Sequence, residues 1–455
     1  MERITPRTLS GFMELLPENQ VRFDKMVEIL RESYSLYGFT PLDTPLIEAA
    51  EVLLTKGGGE TEKQVYRLTK GDTELALRFD LTVPLAKYAA MHYGRLVFPF
   101  RRFQIGKVYR GERAQRGRFR EFYQADIDVI GDGSLALINE AEIPGVIYHS
   151  FQALGLTDFV IRLNNRKVLN GLFAAMDLSE QSGAVLRTVD KLEKVGREKT
   201  ASTLVEELGL KTHQADQLLD VLTCSQRGQS PIRALAAYSG KNELLDEGIE
   251  ELFTVARYME DFSVPNTHFT VDLTIARGLD YYTGTVYETI IPDQPEIGSI
   301  CGGGRYDNLA GYYTDKKLPG VGVSIGLTRL FYLLEEQRYL NEALLAAPAD
   351  VLILPMTEDL ETAIAFATAI RRIGIRAQIY GEDRRFKAKL AYADKLGIPF
   401  AVFIGEDELA AGKVTVKDMT TGEQETVSAR AAAERIGKGV AAKRGEKPIK
   451  QPKGR

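Results

Sequence analysis

The chain has 455 residues, 44% of them hydrophobic and 27% charged, with a formal net charge of −5. That length allows about three domains with sizeable cores, and the composition is that of a soluble globular protein. No apolar run approaches the ~20 residues of a membrane span, and Met1 to Pro17 mixes charges and prolines without the apolar core of a signal peptide. Two cysteines, Cys224 and Cys301, neither in a Cys-x-x-Cys, argue against a disulfide framework or a structural zinc and fit a reducing compartment. Net acidity would argue against nucleic acid, but local patches decide that question.

Pro17 suits the first position of a helix, and Met26, Val27, Leu30, Tyr34 and Tyr37 recur at helical spacing up to a stop at Gly38. Phe39 to Pro45 reads as an extended strand, because each residue before a proline disfavours helix. Phe100 to Tyr109 and Phe122 to Ile130 read as two strands joined by a charged loop that turns at Gln115-Arg116-Gly117-Arg118. From about Asn165 to Asp261 the pattern is helical, with helices expected over Val185–Val195 and Ala201–Gly209; it reads as an insertion into a sheet that resumes near His268. Gly320 to Gly326 reads as a glycine-punctuated strand leading into a helix that carries Arg329.

A helix and linker near Glu335–Pro348 come next. Strands at Asp350–Pro355, Arg376–Tyr380 and Phe400–Ile404 then alternate with helices at Leu360–Ile373 and Arg385–Leu396, which implies a small parallel or mixed α/β domain. After Gly437 the tail is strongly basic. It reads as a solvated, disordered terminus, with an RNA-touching arm compatible with the same disorder.

Two glycine-bearing strings carry most of the functional information: Arg277-Gly278-Leu279-Asp280-Tyr281-Tyr282-Thr283-Gly284 and Cys301-Gly302-Gly303-Gly304-Arg305-Tyr306-Asp307. The first gathers a guanidinium, a carboxylate and two phenols. The second lets the backbone pass close to a ligand, since successive glycines carry no Cβ. Together they resemble the histidine-recognition segments of the histidyl-tRNA synthetases, a family of class II aminoacyl-tRNA synthetases. The resemblance spans about Thr8 to Gly437. It implies an α+β fold: a class II antiparallel sheet with flanking helices and a helical insertion, plus a C-terminal α/β anticodon-binding domain. The expected boundaries are 1–335 for the catalytic core with the insertion at about 165–262, 336–348 for the linker, 349–437 for the anticodon-binding domain and 438–455 for the tail.

Tyr109-Arg110-Gly111-Glu112 looks like class II motif 2, whose arginine holds the α-phosphate of ATP and whose glutamate receives the adenine amino group. An isolated Arg-x-Glu is most often a surface ion pair; this one sits at a strand end before a basic loop and a second strand. A fixed guanidinium stabilises charge where it develops on the phosphate. In the same motif Arg118 matches the arginine that reaches the outer phosphates, and Phe122 the ring that stacks on adenine. Arg329 resembles the motif 3 arginine, which projects from a helix onto the triphosphate. There is no class I signature (His-x-Gly-His or Lys-Met-Ser-Lys-Ser) and no P-loop.

An imidazole offers donors and an acceptor on a planar ring, so a selective site needs carboxylate or amide acceptors and aromatic walls. Asp80-Leu81-Thr82 matches the family segment at the α-amino end of histidine. Gln124 and Asp128, four apart on one strand and so on one face, match histidine contacts. Tyr281 and Tyr282 complete the set. Arg277 matches the family arginine that contacts the reacting carboxylate and the α-phosphate, and with Arg110 it is the expected catalytic pair. ATP is then a substrate, with Mg²⁺ held mainly by its phosphates and no protein metal site; His92, His149, His213 and His268 read as structural or surface residues. The resemblance further implies a tRNA partner, a cytoplasmic homodimer whose interface the Pro17–Pro45 segment helps to build (as motif 1), and no membrane.

Asp80-Leu-Thr-Val-Pro84 and Arg120-Glu-Phe-Tyr-Gln124 resemble the archaeal and eukaryotic-like branch more than the common bacterial wording, and Ala114 stands where many bacterial members have proline. Two other readings keep the fold but not the activity: a histidine-binding regulatory paralogue, and an RNA-sensing pseudo-synthetase module. The first typically lacks the C-terminal domain and has degraded histidine motifs; the second is usually fused to another domain. Here the domain and Arg110, Gln124, Asp128, Arg277 and Arg329 are all present.

Overall fold

A computed structural model describes residues 3–54, 60–275, 282–336, 347–358 and 360–444. The chain divides into two compact units, Met1–Met13 with Val27–Gln337 and Glu14–Met26 with Arg338–Arg455.

The first helix runs Pro17–Leu36, and Gly38 follows it at φ +73°, a conformation that only glycine adopts freely. Eleven strands belong to the first unit: β1 (Thr40–Pro41), β2 (Ile47–Ala49), β3 (Arg67–Lys70), β4 (Thr73–Leu77), β5 (Phe100–Tyr109), β6 (Glu121–Ile130), β7 (Val160–Asn165), β8 (Phe269–Val271), β9 (Thr285–Ile290), β10 (Cys301–Tyr306) and β11 (Gly320–Gly326). β2, β4 and β3 make a small antiparallel sheet. The remaining eight form one sheet in the order β1-β5-β6-β11-β10-β9-β7-β8. Its neighbours are antiparallel except at the two edges, where β1 runs parallel to β5 and β8 parallel to β7. β1 is much shorter than the Phe39–Pro45 strand expected, since Pro41 and Pro45 have no N–H to extend a ladder.

The expected β5–β6 hairpin is present with nearly the expected ends, in continuous register from Phe100↔Ile130 to Tyr109↔Glu121. Between β7 and β8 every described element from Arg166 to Asp261 is helical. The single helix expected over Val185–Val195 is two, Ser182–Val189 and Leu192–Val195, with the break at Asp190-Lys191, where aspartate is a weak helix former.

In the second unit, β12 (Val351–Pro355), β13 (Ala377–Ile379), β14 (Phe400–Ile404), β15 (Lys413–Asp418) and β16 (Gln424–Ser428) form a mixed sheet in the order β13-β12-β14-β15-β16. β12 pairs in parallel with both β13 and β14, while β15 and β16 add on antiparallel. β12 is apolar throughout because both its faces are covered. Val351 and Ile353 share a core with Phe366 and Ile370 of the helix Glu361–Arg372 and with Ile436 and Val440 of the helix Ala429–Arg444. Leu352 and Leu354 pack instead with Ala393 of the helix Phe386–Lys395. The last helix continues past Gly437 to Arg444, so its described part includes the start of the basic tail.

The central strands β10 and β11 approach each other on glycine. A Cβ built on Gly303 would lie 2.1 Å from the carbonyl oxygen of Gly322, whereas one on Gly302 would have its nearest neighbour at 3.5 Å. Gly303→Ala is therefore expected to force the strands apart, an overpacking cost of about 1–3 kcal/mol, and to lower the melting temperature. Gly302→Ala should melt close to the parent. Circular dichroism melts of the two variants side by side decide the point: equal melting would show that the strands do not depend on this contact.

Candidate active site

The hairpin tip is a tight turn. Gln115 and Arg118 exchange N–H···O bonds of 3.1 and 2.9 Å around Arg116 and Gly117, the latter at φ +68°. Arg329, on the helix Leu327–Glu336, donates its Nε–H to the Gly117 carbonyl at 2.9 Å and an Nη1–H to that of Ser299. The two arginine motifs, far apart in sequence, thus meet at this tip. Arg118 Nη1 lies 3.7 Å from a Glu112 carboxylate oxygen. Arg110 leaves the end of β5 with its Nε–H on the Phe79 carbonyl at 3.0 Å and its guanidinium carbon 5.2 Å from the centre of the Phe122 ring. Backbone carbonyls hold Arg110 and Arg329 in place without cancelling their charge.

The other set of predicted residues lies on the sheet and on the turn before the helix Thr82–Met91. Gln124, Asp126 and Asp128 alternate along β6 and so share a face, opposite Gly326, Ser324 and Gly322 of β11. Asp128 is buried. One of its oxygens accepts from the Tyr306 hydroxyl at 2.7 Å; the other is 2.6 Å from Arg102 Nη2, and Arg102 has no solvent exposure at all. Arg102 also donates to the Leu81 carbonyl at 3.1 Å. Gln124 gives an amide N–H to Ser324 Oγ at 2.7 Å. Asp80 accepts from the Val83 N–H at 3.1 Å, capping the helix that follows.

Most of these groups line one cavity of about 300 Å³, with Arg102 and Phe79 behind its wall. Of the residues predicted from sequence, Asp80, Thr82, Arg110, Glu112, Arg118, Phe122, Gln124, Asp128, Tyr282 and Arg329 all line it. Leu81 does not: it is buried and serves through its carbonyl. Arg277 and Tyr281 lie outside the described residues. None of the four histidines lines the cavity; His149 meets Tyr37 and Gly145, and His268 meets Thr157.

The glycine string behaves differently from expectation. Gly302 and Gly303 do line the cavity, but what excludes a Cβ at Gly303 and Gly304 is the neighbouring backbone, Gly322 and Thr285 respectively. Sequence reading missed Asp126, Arg102, Ser324 and Tyr306. For Asp126 the signal was available, since it stands midway between two residues already placed on one face. Arg102 carries no such signal, because a buried arginine on a strand reads as an exposed one.

Burial pushes the Asp80 carboxyl up to about 6, against the Val83 N–H and Arg110; it pushes Asp128 up to about 6, against Arg102 and Tyr306. Asp126 is pushed up to about 7, by burial first, with Arg102 opposing and Asp128 adding to the rise. A carboxyl whose folded pKa is raised contributes stability that is complete below its ordinary value near 4 and lost as pH rises through the folded one. Asp126→Asn removes that loss, so the variant should gain melting temperature relative to the parent between pH 5 and pH 8. A gap that stays constant across this range would mean that Asp126 is ionised throughout.

A family model described as histidyl-tRNA synthetase matches residues 11–330, and one described as an anticodon binding domain matches residues 350–438. The histidine--tRNA ligase of Clostridium tetani is 52% identical over 425 residues, covering 93% of this chain and 96% of that protein. That of Xanthomonas campestris is 46% identical over 447 residues, covering 92% and 94%. The crystal structure of histidyl-tRNA synthetase from Nostoc sp. PCC 7120 superposes with a TM-score of 0.85 at 39% identity, covering 96% of this chain and all of that one. A structure from Bacillus halodurans described as an ATP phosphoribosyltransferase regulatory subunit/histidyl-tRNA synthetase shares the fold, with a TM-score of 0.71 at 20% identity over 89% of this chain and 98% of that one. With one model matching most of its length and relatives aligned nearly end to end, this chain belongs to the histidyl-tRNA synthetase family.

Proposed function

We propose that this chain is a histidine–tRNA ligase that works in two steps at the cavity described above. In the first, a carboxylate oxygen of histidine attacks the α-phosphorus of ATP; the bond to the β-phosphate oxygen breaks, leaving histidyl-adenylate and pyrophosphate. In the second, a hydroxyl of the terminal ribose of tRNA attacks the acyl carbon and AMP leaves. The observation that carries this reading is the joining, in one cavity, of Arg110, Arg118 and Arg329 with the acceptor floor of Asp80, Gln124 and Asp128. Anions need the first set and an amino acid rich in N–H groups needs the second.

Arg110 neutralises the α-phosphate, Arg118 and Arg329 the outer phosphates, Glu112 accepts from the adenine amino group and Phe122 stacks on the ring. Asp80, Thr82, Gln124, Asp128, Tyr281 and Tyr282 bind the amino acid, with Leu81 shaping the turn between them. Arg277 bridges the reacting carboxylate and the α-phosphate, reducing the repulsion of two anions as they approach. No general acid or base is required; positioning and electrostatics supply the acceleration. Mg²⁺, held mainly by the phosphates of ATP, would offset charge on the outer phosphates, and among the described residues no three His, Cys, Asp or Glu cluster to hold it by themselves.

The residues matched by the anticodon-binding model contact tRNA in this reading, and the protein acts as a cytoplasmic homodimer, as the resemblance of the Pro17–Pro45 segment to motif 1 suggests. Among the described residues no helix is long and apolar enough to cross a membrane. A regulatory paralogue that binds histidine without activating it is disfavoured by Arg110, Arg118 and Arg329 lining one cavity and by the presence of Arg277 in the sequence.

ATP–pyrophosphate exchange run with each of the twenty amino acids tests the reading. Exchange is expected with histidine alone; none, with histidine still bound, would favour the regulatory paralogue. Arg277→Ala is expected to cut the histidine-dependent exchange rate by at least ~10²-fold, the usual scale for losing one such electrostatic contact, with circular dichroism unchanged. A near-parental rate would remove Arg277 from the reacting centre.

A further inference from the structure

Besides Asp128 Oδ2, which is ion-paired with Arg102, three buried acceptor atoms of cavity-lining residues make no hydrogen bond among the described residues: Asp80 Oδ2, Gln124 Oε1 and Asp126 Oδ1. Nothing in the family resemblance singles out Asp126, yet its side chain is 1% exposed and lines the cavity. The Gln124 amide donates to Ser324 Oγ at 2.7 Å, which leaves the Gln124 carbonyl oxygen without a donor, and Asp126 stands directly opposite Ser324 in the β6–β11 register. Asp128, one pleat further along the same face, differs in being engaged by Arg102 and Tyr306.

Buried acceptors left without partners are costly and uncommon, so a group of them in a cavity implies a ligand that brings donors. The three are acceptors alone and two are carboxyls, while the unpartnered buried donors of Arg102 and Tyr34 belong to residues that do not line the cavity. A carboxylate or phosphate would be repelled there. An imidazole has at most two N–H groups, fixed in a plane, whereas an ammonium has three and no acceptor.

We propose that Asp126 is a further substrate-binding residue, whose free Oδ1 accepts one N–H of the bound amino acid's α-ammonium while Asp80 and Gln124 accept the other two. The assignment rests on reading the cavity as an amino-acid-activating site. It places in Asp126 a second buried carboxylate, beside Asp80, that recognises the substrate's positive charge.

The test uses the full-length chain at pH 8 and two histidine fragments as competitive inhibitors of exchange: histidinol, which keeps the ammonium and imidazole, and 3-(imidazol-4-yl)propionate, which lacks the ammonium. Asp126→Asn keeps the shape and removes the charge. It should raise the KM for histidine and the Ki for histidinol by roughly 10–100-fold, the scale of a charge-assisted hydrogen bond. The Ki of the propionate and the KM for ATP should each move less than ~2-fold, since neither ligand presents an ammonium to this carboxylate. Equal weakening of both fragments would overturn the proposal by placing Asp126 at the imidazole or in a purely structural role, and so would the absence of any change. Failure of histidinol to bind the parent chain would overturn the reading of the site and this assignment with it. Should the asparagine variant not fold, Asp126→Glu replaces it; a Ki that moves for histidinol and not for the propionate supports the contact, and an equal change for both fragments, or none for either, overturns it.

Discussion

A fully buried arginine beside a buried aspartate sets the terms for the rest of the first unit. Removing a guanidinium and a carboxylate from water costs several kcal/mol for each ion, and their attraction repays that only when geometry is good and their other atoms are served. Arg102 and Asp128 stand directly opposite in the β5–β6 register, so the pairing of those strands and the ion pair require each other. The second arginine contact, to the Leu81 carbonyl, ties the turn bearing Asp80 and Thr82 to the same point. Tyr306 serves the far side of the aspartate. Room for it all comes from Gly322, where a Cβ would sit 2.1 Å from Asp128 Oδ1, and from Gly320, where a Cβ would sit 2.4 Å from the Tyr306 ring. Gly320 and Gly322 of β11 are thus demanded first by the protein's own buried side chains, whereas Gly303 and Gly304 of β10 answer to the neighbouring backbone.

Sequence made the large features legible because they follow from local rules. Alternation in Ile127–Ile130 and the basic turn at Gln115–Arg118 placed the hairpin; proline and glycine placed the ends of the first helix; the alternation of apolar strands with helices placed most of the second unit. β15, β16 and the final helix escaped because their strands alternate weakly and Lys413–Ser428 is rich in charge, so nothing marked them as sheet. Motif resemblance found the cavity residues whose roles are shared across a family. It did not find Arg102, Ser324 or Asp126, whose importance arises only once three strands lie side by side. Cross-strand neighbours such as Asp126 and Ser324 are nearly two hundred residues apart in the chain, and no local pattern encodes that distance.

The cavity solves opposite electrostatic problems with one architecture. In the proposed function its arginines attract phosphates, and Arg110 and Arg329 are anchored in direction through carbonyls of Phe79, Gly117 and Ser299. On the proposed assignment its acids hold an ammonium, and burial raises all three carboxyls. The hairpin serves both ends: β5 delivers Arg110 and Arg102, the tip delivers Arg118 and receives Arg329, and β6 delivers Phe122, Gln124 and Asp128.

The raised carboxyls then acquire a meaning beyond their cost. Among the described residues, Asp80, Asp126 and Asp128 face the buried Arg102 and the half-buried Arg110, so the three carboxyls ionised together outnumber those two cations. An empty site relieves that excess by taking up a proton, most readily at Asp126, where burial and the Asp128 charge act together. An arriving ammonium relieves it better, because it supplies positive charge and three donors at the same place. On the proposed assignment ligand and proton compete for the same buried acceptor, so the site would be most receptive above the pH at which that proton is lost. Selection of a zwitterion follows from the pairing: the ammonium needs the acids, its carboxylate needs the arginines, and only a molecule carrying both charges a bond or two apart satisfies the two sets at once.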